Sequence, residues 1–300
     1  MAAISQAQCS TGDTWFSHMK RFVARVAIVL NGRFVFSLIM LLLIVGFGFL
    51  GPVILRRPNP LVTVGGLYDA PSSTAWLGTD NFGRDVFTQL MYGTRTSLII
   101  GGIASLVATF IGLLIGTIAG YQSGTLEEVL MASTNVVITI PPIVILILLS
   151  IALNNRSIEA MGIIIGITSW PWTARAVRAQ ASSLRTREHV DIARISGAGT
   201  LSIIFWEIVP FMLSYIVMAF VLQLSSGILQ EAALSMLGLG PTMNVSLGIM
   251  LQWALLWESV RTGAWWAFVP PALLLTWIAF SLLLLQSSID EIFNPRLRRA

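Results

Sequence analysis

The sequence predicts an all-α membrane protein with about six transmembrane helices and both termini in the cytosol. Three observations predict it. Of 300 residues, 55% are hydrophobic and 11% charged, too apolar a balance for a water-soluble domain. Several runs reach the roughly 18 to 20 apolar residues that cross a bilayer, and a helix satisfies its own backbone there. The basic residues are also unevenly shared between the two sides. With the N-terminus inside, Lys20, Arg21, Arg25, Arg33, Arg175, Arg178, Arg185, Arg187, Arg194, Arg296, Arg298 and Arg299 lie inside. Arg56, Arg57, Arg84, Arg95, Arg156 and Arg261 lie outside, and the excess of inside charge sets the orientation.

Residues 1–33 form a cytoplasmic tail. Trp15, Phe16, Met19, Phe22, Val23 and Val26 share one helical face opposite basic residues, the pattern of a helix lying in the membrane interface. Residues 34–93 hold the first span, about 34–55, and an extracytoplasmic segment. No small-residue cleavage site follows the span, so it reads as retained rather than as a signal peptide. Residues 56–93 are rich in Pro, Gly, Ser and Asp and do not cross lipid. Within them Asp80-Asn81 suits a turn or a helix cap, and Val86, Phe87, Leu90 and Met91 give an amphipathic turn.

Residues 94–289 hold the other spans, and 290–300 a cytoplasmic tail. The second span, 96–120, repeats Gly112, Gly116 and Gly120 every four residues, a side-chain-free stripe that permits close helix contact. The third, 126–153, is interrupted by Pro141-Pro142 and should kink there. The fourth, fifth and sixth are placed at 158–178, 201–229 and 266–286. Tryptophans at 253, 257, 265 and 266 suit a membrane–water boundary.

The polar interval 185–199 separates spans four and five. Val190, Ala193 and 195–198 carry a helix-like apolar pattern, Thr186 is a candidate N-cap, and Arg187, Glu188, Asp191 and Arg194 stand at pairing distances. Gly197 and Gly199 permit a sharp turn back into the membrane.

The same residues exclude much. Lys20 is the one lysine and sits in no phosphate-binding loop, so nucleotide energy has to come from another chain. The single Cys9 forms no intrachain disulfide or cysteine metal cluster, and His18 and His189, expected at the surface, have no ligand spacing. The span centres lack ionisable residues, with Glu127, Glu128, Glu207, Glu231 and Glu258 near span ends, which disfavours an ion-coupled carrier or a channel. No nucleophile–base pair or acid/base carboxylate pair points to an enzyme, and the charge pattern speaks to orientation, not nucleic acid.

Several stretches resemble the dipeptide/oligopeptide family of ATP-binding-cassette (ABC) importer permeases, specifically its second type of permease subunit. Leu-Gly-Thr-Asp-Asn-Phe-Gly-Arg-Asp at 77–85, followed by Tyr-Gly-x-Arg-x-Ser-Leu at 92–98, is the most specific match. Trp170, Ala174, Arg175 and Arg178 fit a second pattern, Glu-Ala-Ala-Leu-Ser-Met-Leu-Gly-Leu-Gly at 231–240 a third, and Asn-Pro-Arg-Leu-Arg at 294–298 the terminus. Asp191-Ile192-Ala193, Gly197 and a Pro210 ending are similar to the family's cytoplasmic coupling loop, with Asp for Glu and Ile for the first Ala. The resemblance implies a type I ABC importer permease fold in the cell membrane. It implies a translocation path shared with a paralogous permease subunit, two cytosolic ATPase subunits that hold ATP and Mg, an extracytoplasmic solute-binding protein, and no cofactor in this chain. It assigns ATPase coupling to Arg187, Val190, Asp191, Ile192, Ala193, Arg194, Gly197 and Ala198. It leaves Gly112, Gly116, Gly120, Pro141, Pro142 and Pro210 to kinks and packing. Asp80, Asn81, Gly83, Arg84, Asp85, Glu231, Gly238 and Gly240 are signature residues expected on the extracytoplasmic side. Peptides are the first substrate expectation, and oligosaccharides or nickel chelates the second.

Overall fold

The computed structural model describes residues 32–57, 59–153 and 156–293, so the expected interfacial helix near the N-terminus and the tail from Asn294 lie outside the described residues. The chain runs α1 (Gly32–Phe49), α2 (Val86–Gln122), α3 (Thr125–Thr139), α4 (Pro142–Leu153), α5 (Ile158–Leu184) and α6 (Glu188–Ile195). It continues through a composite helix α7 (Thr200–Leu239), then α8 (Leu247–Leu256) and α9 (Trp265–Phe293). Among the described residues there is no strand, only isolated bridges pairing Thr63 with Arg84 and Thr79 with Asp85.

Helices α1, α2, α7 and α9 are long and apolar enough to cross a membrane. The α3–α4 pair makes a fifth span if it counts as one, bent by 84°. The bend sits at Ile140, whose backbone is extended because Pro141 disfavours helical geometry in the residue before it. Helix α5, the expected fourth span, has 27 residues but falls short of the apolar criterion. Its second half carries Arg175 and Arg178, and its small faces are buried against α2 instead of meeting lipid.

Two helices outrun the expected spans. Helix α2 starts at Val86 because Asp85 caps it, its carboxylate accepting from the amides of Phe87 and Thr88 at 3.2 Å each. Helix α7 continues to Leu239 through two π-helical segments, Ile204–Ile208 and Ser235–Leu239, and a 3₁₀ turn, Pro210–Met212. Helix α8, at 10 residues, is about 15 Å long, too short to cross.

Three apolar clusters hold the bundle. One joins α1, α2, α7, α8 and α9 through Ile44, Leu90, Ile228, Leu247 and Ile278. A second joins α2, α4, α5 and α7 through Ile100, Leu146, Ile165 and Leu234. The third gathers Val177, Val190, Ile203 and Ile208 where α5, α6 and α7 meet. Many large side chains outside these clusters, among them Leu106, Phe110, Leu148 and Leu273, are exposed, as a lipid-facing surface requires.

The elements sort to two ends. At one, Tyr68 Oη donates to the Trp257 carbonyl (3.1 Å), Trp266 Nε1 to that of Thr79 (3.0 Å) and Arg156 to that of Gly238 (2.9 Å). At the other, Arg178 pairs with Glu127, and the Arg194 guanidinium lies 6.0 Å from the Tyr121 ring centroid. By the charge count, the second end is cytosolic.

Candidate functional site

Helix α6 projects at the cytosolic end. Its start follows the backbone, not a side-chain cap. Arg187 occupies the N-cap position with no side-chain bond, while the Thr186 hydroxyl turns back to the Ser183 carbonyl at 3.3 Å. Thr186 is therefore not the cap the sequence suggested, because α5's last turn claims its hydroxyl. The C-terminus is closed by a Schellman motif. The Ala198 amide reaches the Ala193 carbonyl and the Gly197 amide that of Arg194, both at 3.1 Å, with Gly197 at φ +82°. That left-handed conformation is what a glycine supplies.

One face of α6 is anchored. Val190 is fully buried among Ile203, Ile204 and Ile208, a contact contributing about 1.5–3 kcal/mol. Ala193 and Ala198 pack at its margin. His189, expected at the surface, is half-buried instead. It stacks on Phe211 with ring centroids 4.3 Å apart, and its Nε2 donates to the Glu207 carbonyl at 3.2 Å. The opposite face is bare: Glu188, Asp191, Ile192 and Ile195 are exposed at i, i+3, i+4 and i+7, with Ile195 87% exposed. Of the charges expected to pair there, Asp191 and Arg194 do, at 3.0 Å. Helix α6 is thus amphipathic, pinned by one face and offering exposed isoleucines on the other.

Helix α5, which leads into α6, is held to α2 by close packing. A Cβ on Gly112, Gly116 or Gly120 of α2 would lie 2.6 Å from Thr173 Cβ, the Ala174 carbonyl oxygen or the Arg178 carbonyl oxygen of α5. The contact is reciprocal: Gly162 and Gly166 of α5 receive Ile103 and Val107 of α2. The α5 glycines share the four-residue spacing but carry it only once, a weaker signal than the three positions of α2, and the sequence reading passed over them. Pro210 opens the 3₁₀ turn that follows the first π segment, directly beyond the α6 anchor. Pro141 and Pro142 sit at the sharp bend between α3 and α4.

The opposite end holds most of the signature residues. Asp80 makes a turn, not a cap: its carboxylate accepts from the amides of Phe82 and Arg84 (2.8 Å each) and from Gln89 Nε2 (2.7 Å). Asp85 caps α2 and pairs with Arg57 at 3.0 Å. Gly83, at φ +72°, lies where a Cβ would meet the Gly65 carbonyl oxygen at 2.3 Å. Arg84 spans the rings of Phe82 and Trp253, and Asn81, next to Phe82 in sequence, is buried with its Nδ2 lacking a partner among the described residues. Tyr68 is held above the ordinary phenol pKa, first by burial and then by the Asp80 charge.

Glu231 does not belong to that exposed segment. It lies fully buried inside α7, where Oε2 accepts from Ser97 Oγ (2.8 Å) and Oε1 from Ser235 Oγ (2.6 Å). These hydroxyls, on α2 and one turn along α7, let the helix run on past a carboxylate. Gly238, at φ +83°, exposes the carbonyl that Arg156 binds, and Gly240 packs on Ser235.

The helical bundle has the fold of an ABC transporter permease. A chain of the MetNI methionine ABC transporter, in an inward-facing crystal form, superposes with a TM-score of 0.54 at 18% identity, covering 67% of this chain and 96% of that one. The chain belongs to the family of binding-protein-dependent transport system inner membrane components, whose pattern matches residues 112–299. It is similar to a putative peptide permease protein of Brucella suis biovar 1, 32% identical over 242 residues (80% of this chain, 79% of the relative). It is also similar to the dipeptide transport system permease protein DppC of Bacillus subtilis, 30% identical over 290 residues (96% and 87%). This chain is thus the permease subunit of an ABC importer, a multi-pass protein of the cell membrane.

Proposed function

We propose that this permease carries di- and oligopeptides inward, and that an ATPase subunit drives it by gripping α6. The single observation that carries the coupling half is the exposed face of α6, with Ile192 and Ile195 bare while Val190 is locked into the bundle. A push on α6 is delivered through Val190 to the α5 end and to the π-helical start of α7. Motion of that joint is the differential contact that lets nucleotide state choose between two arrangements of the spans. A paralogous permease supplies the other wall of the path, two ATPases hold ATP and Mg, and a solute-binding protein delivers cargo to the end bearing Asp80 and Arg84. The peptide half rests on the names of the relatives and on the motifs at 77–98 and 231–240.

The test uses this chain coexpressed with its paralogue and ATPases. Ile192→Glu and Ile195→Glu place charge in the gripped face and should cut ATPase recovery in pull-downs by about tenfold or more, leaving the permease pair intact. Unchanged recovery together with unchanged ATP-driven peptide uptake would discard the contact.

A further inference from the structure

A cavity of about 820 Å³ opens between α3–α4, α5 and α7, within the size range of small-molecule sites. Its two walls differ. The α3–α4 wall is apolar and includes Ile138 and Pro142, flanking the 84° bend. The other carries Ser169 and Thr173 of α5 with Gln223, Ser226 and Gln230 of α7. None of the described residues that line it is charged.

The polar wall is ordered. Positions 223, 226 and 230 fall on one helical face. Gln223 Nε2 donates to the Ser169 carbonyl (3.0 Å) and to Thr173 Oγ1 (2.7 Å), so both its amide hydrogens are used. A backbone carbonyl only accepts, which fixes the orientation of the Gln223 amide. Among the described residues no donor is bonded to its oxygen, which is left as an acceptor on the cavity wall. Gln230 Nε2 donates to Ser226 Oγ (2.9 Å) and Ser169 Oγ (3.2 Å), and Ser226 is exposed.

Amides and hydroxyls facing hydrocarbon are costly, and broken helix at membrane depth persists only inside protein or beside water. The cavity combines both features. A neighbouring helix is a poor occupant. Helices in lipid dock through small residues; of the exposed residues around this opening Ser226 and Ala233 are small, but Trp172, Leu222 and Leu229 stand between and beside them.

We infer that this cavity is a water-filled stretch of the translocation path, in which Gln223, Ser226 and Gln230 hydrogen-bond the uncharged backbone amides of a passing peptide. The inference rests on the peptide reading above. A wall of neutral donors and acceptors serves every peptide through its common backbone and is indifferent to side-chain charge.

The test reconstitutes the complete importer with its binding protein in a Cys9→Ser background. Ser226→Cys should react with a charged, water-soluble methanethiosulfonate in the assembled complex, and that modification should lower Ala-Ala-Ala uptake at least about tenfold. Gln223→Leu should lower uptake of Ala-Ala-Ala, Ala-Lys-Ala and Ala-Glu-Ala alike, by about five- to tenfold, as expected for loss of one or two hydrogen bonds. Gln230→Ala, which removes no contact to the α5 backbone, is the second variant should Gln223→Leu fail to copurify with the paralogue. Labelling of the isolated chain but protection in the complex means that the paralogue fills the cavity, and overturns the inference. So does labelling without effect on uptake, or a loss that follows peptide charge. If the unsubstituted importer takes up none of the three peptides, the peptide reading and the amide contact fall together. If it takes them up while Ser226→Cys stays unlabelled, only the cavity assignment falls.

Discussion

Gly197 has open space around it, yet its backbone is committed: nothing lies within 4 Å of a Cβ built there, but φ is +82°. Its replacements should therefore separate by conformation and bulk. Gly197→Asn, tolerated in left-handed geometry, should cost less than about 1 kcal/mol and keep ATP-driven uptake. Gly197→Arg should leave the protein inserted but uncouple ATP hydrolysis from uptake in vesicles, because a large side chain enters the surface proposed above for the ATPase contact. Uptake surviving Gly197→Arg would move the coupling contact elsewhere. Glu231 poses the opposite case, a side chain fixed wholly by its neighbours. Glu231→Gln can still engage both serines. Glu231→Leu removes the acceptor shared by the Ser97 and Ser235 hydroxyls and should cost about 2–4 kcal/mol, read as a lowered unfolding midpoint in detergent. Gly197 was legible in the sequence because its role is local. The partnership of Glu231 with Ser97 was not, since 134 residues separate them.

Packing of α2 on α5 depends on two glycine sets at different levels, each receiving side chains or backbone of the other helix. Gly116→Leu would drive a side chain into the Ala174 carbonyl and Val177, both within 2.7 Å of a bare Cβ. Relief requires the helices to part, and the change should destabilise the permease by about 1–3 kcal/mol. Gly102, with nothing within 4 Å, is the control: Gly102→Ala should be neutral or slightly stabilising in the same melting experiment. The α2 stripe and the shorter α5 pair both stand in the sequence as four-residue spacings, but what each receives became visible only once the helices were side by side. The proline pair signalled a break in the sequence. Its size, 84°, follows from how α3 and α4 each pack on α5.

Assembled, the chain is a bundle whose two ends do different work. One end is locked by long-range bonds such as Trp266 to Thr79 and Tyr68 to Trp257. The other joins the short helix α6 to a π-helical segment of α7 through an apolar cluster that includes Val190 and Ile208. Motion should therefore concentrate at the cytosolic end. Amide exchange measured with and without nucleotide in the full complex should change most over α6 and 200–212, and least over 77–90. A larger change at the Asp80 end would reverse that assignment. Composition and hydropathy alone determined a helical membrane protein, and periodicity and charge a short helix within 185–199 and an expected orientation, because these are properties of neighbours along the chain. The end of α7, the burial of Glu231, the half-buried His189 and the polar-walled cavity depended on the folded arrangement. Each is settled by groups distant in sequence that satisfy, or crowd, one another across helices.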